Sequence, residues 1–139
     1  MGSMIAAIKQ GKLSTVQSIL HKDPKAVHEG VPGEQALHFA AWYNRVTIAR
    51  ELLDKGADVA CRDTEHRTPL HYAALHENLK IVELLLEYHT ALAPLDMYHY
   101  TPAVLAIRQR SPKGEKIFAR LLQAGADYGI HEAVARGHT

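Results

Sequence analysis

The stretch His66-Arg-Thr-Pro-Leu-His-Tyr-Ala-Ala74 decides the fold, because the chain writes it three times. Gly33-Glu-Gln-Ala-Leu-His-Phe-Ala-Ala41 lies over it upstream and His99-Tyr-Thr-Pro-Ala-Val-Leu-Ala-Ile107 downstream, so the blocks start at 33, 66 and 99. A fixed period in the range of roughly 20–50 residues is the mark of stacked repeats. An apolar run follows each block, beginning at Ile48, Ile81 and Ile117 and closing on Gly56-Ala-Asp58, His89-Thr-Ala91 and Gly125-Ala-Asp127. Each unit thus holds two apolar-periodic segments of helical length and then a polar stretch.

The residue types suit that reading. Pro69 and Pro102 sit where a first helical turn needs no N–H, and Thr68 and Thr101 precede them as N-caps. Ala73 and Ala74 are small where a helix must approach its neighbour closely, while Leu84, Leu85 and Leu86 supply bulk on the second helix. Gly56 and Gly125 suit the left-handed conformation that ends a helix. No such pair buries its own apolar face, so stability must come from stacking.

These residues resemble the ankyrin repeat family. Thr68-Pro-Leu-His-Tyr-Ala-Ala74 matches its Thr-Pro-Leu-His-x-Ala motif, and Gly56-Ala-Asp58 and Gly125-Ala-Asp127 match the turn after its second helix. The resemblance implies an all-α solenoid of helix-turn-helix units joined by β-hairpin-like loops, in a single domain over 4–139. The units fall at about 4–32, 33–65, 66–98 and 99–129, with a partial fifth over 130–139. Met1-Gly-Ser3 reads as an expression scar before a natural start at Met4. The fifth unit lacks its second helix, so it is either an atypical cap or a sign that the natural protein continues beyond Thr139; Ala133 and Val134, which read as packing residues, favour the second.

Four departures carry expectations. Gln35-Ala36 replaces Thr-Pro, so that helix should start less sharply; Val104 replaces the motif histidine. His89 stands where the left-handed turn favours glycine, at a cost on the order of 1 kcal/mol. Ile81 to Ile117 is three residues longer than Ile48 to Ile81, and the surplus is assigned to a longer exposed loop over Ser111–Lys116.

Composition narrows function. Sixteen basic against fifteen acidic residues give a net charge of +1, too balanced for a nucleic-acid surface or an anionic membrane. No apolar stretch is long enough to span a bilayer. The single cysteine, Cys61, suits a reducing intracellular compartment. Phosphate-binding glycine loops are absent; Gly11-Lys-Leu-Ser14 is only a fragment of one. Cys61 beside Arg62 has no matching base to make it a nucleophile. His38 and His71, at the motif position, are expected to bond locally and register neighbouring units. His66, His71 and His76 are five apart, which scatters them around a helix, so neither metal nor other cofactor is expected. The chain reads as no enzyme.

Binding remains. In ankyrin proteins the hairpin tips and the exposed side of the first helices form a concave contact face. Its variable positions fall here on Val31, Pro32, Glu34, Trp42 and Tyr43, then Thr64, Glu65, Arg67, Leu75 and His76, then Met97, Tyr98, Tyr100, Arg108 and Gln109. Trp, Tyr and Arg are enriched at interface hot spots, so Trp42, Tyr43, Tyr98 and Tyr100 are the expected anchors, with Arg67 and Arg108 beside them. The competing placement folds Trp42 and Tyr43 back against the first unit. The expected partner is a protein or peptide bound by a monomeric adaptor, inhibitor or targeting domain. One alternative is the ankyrin segment of a longer enzyme or channel. A weaker one is a histidine-based metal or small-ligand binder.

Overall fold

Both Thr-Pro pairs open helices, as their chemistry allows. A computed structural model describes residues 3–28 and 36–126. It places α1 at Ser3–Gln10, α2 at Leu13–Lys22, α3 at Ala36–Trp42, α4 at Val46–Asp54, α5 at Pro69–Leu75, α6 at Leu79–Glu87, α7 at Pro102–Arg108 and α8 at Pro112–Gln123. A 3-10 turn covers Pro24–His28. Among the described residues there is no strand. Thr101 caps α7 by accepting the Val104 N–H at 3.3 Å, and Pro102 occupies the first turn.

The helices stack in two rows. In the first row α1 packs on α3, α3 on α5 and α5 on α7, while α2, α4, α6 and α8 follow one another behind. Ala40, Ala41, Ala73 and Ala74 have no exposed surface, which lets the front helices approach. Ile48, Leu52, Ile81, Leu84, Leu85, Ile117 and Leu121 fill the space between the rows as one continuous core.

The positions that close each first helix are left-handed: Gly11, Asn44, Glu77 and Arg110 have φ of 74°, 58°, 62° and 54°. His89, at the equivalent of Gly56 and Gly125, has φ 58° and meets the same penalty without glycine's freedom.

The three extra residues of the fourth unit do not form a loop. They lengthen the second helix to twelve residues in α8, against nine in α4 and α6. Ser111 is its N-cap, accepting the Gly114 N–H at 3.0 Å, and Pro112 opens the first turn. Gly114 is buried where a β-carbon would lie 2.3 Å from the Ala106 carbonyl oxygen, so α8 can lean on α7 only with glycine there.

A row of polar side chains ties each unit to the one before. Arg45 donates to the Ile8 carbonyl at 3.0 Å and to that of Lys9. Asn78, at the same place one unit on, donates to the Ala41 carbonyl at 2.6 Å. Ser111, next in the row, donates to the Glu77 carboxylate. The helix expected over 130–139, and Val31, Pro32 and Glu34, lie outside the described residues.

Candidate functional site

Two buried aspartates, Asp63 and Asp96, build the hairpin tips. The Asp63 N–H donates to the Arg67 carbonyl at 3.0 Å, and its Oδ1 accepts the N–H groups of Glu65 at 2.9 Å and Arg67 at 3.0 Å. Asp96 repeats the pattern, donating to the Tyr100 carbonyl at 3.0 Å and accepting from Tyr98 at 2.8 Å and Tyr100 at 2.9 Å. The remaining oxygens are filled as well: Tyr72 Oη donates to Asp63 Oδ2, and Arg67 Nε donates to Asp96 Oδ2 at 3.1 Å. Burial works to raise the pKa of Asp96, but the hydrogen bonds from Tyr100 and Arg67 outweigh it and hold the carboxyl below its ordinary range. Nothing in the sequence reading singled these aspartates out, although they stand one repeat apart.

The motif histidines lock the tips to the helices. His38 Nε2 donates to the Arg67 carbonyl at 2.8 Å, and His71 Nε2 donates to that of Tyr100 at 2.9 Å. His71 Nδ1 accepts the Thr68 N–H at 3.0 Å, which fixes the tautomer. The Met97 N–H donates to the Glu65 carbonyl at 2.9 Å and joins the two tips. On this frame the local, registering role of both histidines is what the geometry displays.

The aromatic side chains run across the units. Trp42 stacks on His76 at 4.8 Å and on Tyr72 at 5.2 Å, and Tyr43 lies against Trp42 at 6.2 Å. Trp42 therefore leans forward onto the third unit and does not fold back on the first. Tyr43 meets the first unit at Lys9, whose ammonium sits 6.0 Å from its ring. Burial and the nearby Arg67 lower the pKa of His76 and favour its neutral form.

Other proposed contact residues fare unequally. Met97 and Tyr98 are about half exposed, at 50% and 51%. Tyr98 Oη donates to Glu65 at 3.2 Å. Arg108 is exposed and lies 4.6 Å over the Tyr100 ring, which is itself half-buried. Thr64 is exposed, Leu75 packs partly against the core, and Gln109 donates to the Leu105 carbonyl at 3.0 Å. Arg67 departs most from expectation. Its side chain is only 15% exposed and pairs with Asp96 at 3.1 Å and Glu65 at 3.7 Å, so its charge is already answered inside the chain.

Reactive chemistry finds little footing here. Burial, with Asp58 adding to it, pushes the Cys61 thiol up to about 12. The neighbouring Arg62 turns away, donating to the carbonyls of His66 at 3.0 Å and Leu95 at 2.7 Å. Among the described residues no three His, Cys, Asp or Glu side chains converge on a metal-sized site. The crevice bounded by His38, Phe39, Trp42, Asp63 and Tyr72 holds about 10 Å³, no more than a water. No helix among the described residues is long and apolar enough to cross a membrane.

Stacked helix pairs with a ridge of hairpin tips and an aromatic front define a helical-repeat interaction scaffold. The family model for ankyrin repeats (3 copies) matches residues 3–93 and 63–132, and the chain belongs to the ankyrin repeat family. It is similar to the palmitoyltransferase akr1 of Schizosaccharomyces pombe, 42% identical over 62 residues that cover 42% of this chain and 9% of that protein. It also resembles the neurogenic locus Notch protein of Drosophila melanogaster, 35% identical over 81 residues covering 48% of this chain and 3% of that protein. The chain thus spans less than a tenth of the length of either relative.

Proposed function

We propose that this chain binds a protein or peptide through the face made by its hairpin tips and first-helix ends, as a monomeric intracellular adaptor, inhibitor or targeting domain without catalytic chemistry of its own. One observation carries the reading. Among the described residues the exposed large hydrophobic side chains are Trp42, Tyr43, Leu95, Met97 and Tyr98, and all five lie on the hairpins or at the end of α3. An apolar patch confined to one side of a soluble fold marks an interaction site. Anchors of this type lose about 2 kcal/mol or more on truncation, roughly thirtyfold in affinity.

The test is capture of partners from cell extract on the wild-type chain and on a Trp42→Ala/Tyr98→Ala chain with an unchanged melt. Partners should be lost from the double variant and kept by a Glu83→Gln control. A captured set that ignores the double variant moves the site off this face. A second reading, a targeting segment of a longer enzyme or channel, draws its support from the small share of akr1 and Notch that the chain spans.

A further inference from the structure

Lys9, Trp42, Leu75 and Arg108 stand at one position in four successive units, each at or beside the last residue of a first helix. Because α1, α3, α5 and α7 pack in series, these side chains form a row across the front of the stack. Its ends are cationic and its centre is apolar. Beside it run Gln10, Tyr43, His76 and Gln109, with polar ends and rings at the centre.

The end cations differ from the other arginines of the front. Arg67 is neutralised by Asp96 and Glu65, Arg62 is spent on two carbonyls and Arg45 on two more. Lys9 and Arg108 have no carboxylate partner among the described residues. Each rests instead on an aromatic ring: Lys9 5.4 Å from Phe39 and Arg108 4.6 Å from Tyr100. Ring contact holds a cation in place and leaves its outward side open to an anion.

Complementing a helix dipole does not account for them. A cation favoured by a helix C-terminus would serve all four units equally. The row instead carries Trp42 and Leu75 in the middle, and at α1 the terminal carbonyls are already taken by Arg45. Glu65 is held by Arg67 and Tyr98 and Glu77 by the Ser111 hydroxyl, so among the described residues neither carboxylate is ion-paired with Lys9 or Arg108.

We infer that the occupant of this face is an extended peptide segment carrying one acidic side chain at each end of a short apolar stretch, the acids meeting Lys9 and Arg108 and the apolar residues lying on Trp42, Leu75 and His76. The inference rests on the groove reading above and adds the chemistry of the partner. Helices packed side by side are about 8–10 Å apart, so three steps span about 24–30 Å. An extended chain covers that in about eight residues.

The test uses the intact chain and labelled peptides of about twelve residues that share a Leu-Pro-Phe-rich centre, read by fluorescence anisotropy. One peptide has glutamates about eight residues apart, a second has them about four apart, and two more replace the wide pair by glutamines or lysines. The wide glutamate peptide should bind at least tenfold tighter than the glutamine peptide, and the lysine peptide weakest. In a Lys9→Glu/Arg108→Glu chain with an unchanged melt the order should invert, with the lysine peptide now tightest. Equal affinities, an unaltered order in the charge-reversed chain, no binding by any peptide, or no advantage of the wide spacing over the narrow one would each overturn the inference. The groove reading fails separately, when captured partners ignore Trp42→Ala/Tyr98→Ala.

Discussion

The front and back of the stack are built from the same repeat and solve different problems. On the back, neighbouring second helices are joined by exposed pairs: Arg50 with Glu87 at 3.2 Å, Arg120 with Glu83 at 2.9 Å, and Tyr88 donating to Asp54. On the front, the joints are buried: His71, Asp63, Asp96 and Thr68 are all at most 5% exposed, and each has its polar atoms bonded. A buried bond costs most when one partner is removed, whereas an exposed pair is screened by water and salt. The front is therefore held from beneath, which leaves Trp42 and Tyr98 exposed without making the fold depend on them.

The sharpest way to break this contrast is His71→Ala. It leaves the Thr68 N–H without its partner, takes one of the two donors from the Tyr100 carbonyl, which keeps the Asp96 N–H, and opens a void at a fully buried ring. A loss of about 2–4 kcal/mol is expected in denaturant melts. Tyr98→Ala, on the same face but half exposed, should cost less than about 1 kcal/mol. Equal losses for the two would mean that the buried joints do not carry the front.

Acid should act on the same joints. Burial lowers the pKa of His71 below its ordinary 6.5 in the folded chain, so on acidification the unfolded chain takes up the proton first. Stability from this group is complete above pH 6.5 and falls as pH drops through the window between 6.5 and the folded value. Asp96 runs at lower pH: its contribution is present above its ordinary 3.8 and is lost as pH falls from there through its depressed folded value. His76 shifts in the same direction as His71, so the measurement is the difference between wild type and His71→Gln. The melting temperature of the variant should fall less steeply between pH 6.5 and 5. Parallel curves would remove His71 from the account.

How much of this was legible in the sequence follows from what repeats. The period gave the stack, Thr101-Pro102 gave a helix start, and the motif histidines were rightly expected to bond locally. The assignment of Ser111–Lys116 to a loop failed because the register counted residues and overlooked chemistry: Ser111-Pro112 carries the same cap-and-proline signal as Thr101-Pro102. Asp63 and Asp96 were also readable as a pair one period apart, but what distinguishes them is burial, which composition does not disclose. The pairing of Arg67 with Asp96 could not be read from the sequence, since Asp96 lies at the next hairpin tip and only packing brings the two together. That Trp42 leans forward onto His76 is likewise a rotamer choice that no spacing encodes.

The smallest expected effect belongs to the back, and it sharpens the contrast most. Arg120 Nε lies 3.0 and 2.9 Å from the two oxygens of Glu83, close enough to share its proton between them. The pair is nonetheless one-third to nearly one-half exposed, at 33% and 44%. Exposed pairs measured by double-mutant cycles give about 0.2–1 kcal/mol, because ordering two long side chains offsets most of the attraction. Glu83→Gln, Arg120→Gln and the double variant should therefore show a coupling in that range, shrinking as salt is added. Neither change should alter peptide or partner binding by more than about twofold, or 0.4 kcal/mol. The back also has a groove of about 420 Å³ between α6 and α8, lined in part by Leu79, Glu83, Lys116 and Arg120. It lacks the large exposed aromatic or aliphatic side chains that the front presents. If Glu83→Gln weakened partner binding more than Trp42→Ala did, with both melts unchanged, the binding site would have to be reassigned to this groove, and the aromatic row would revert to surface packing.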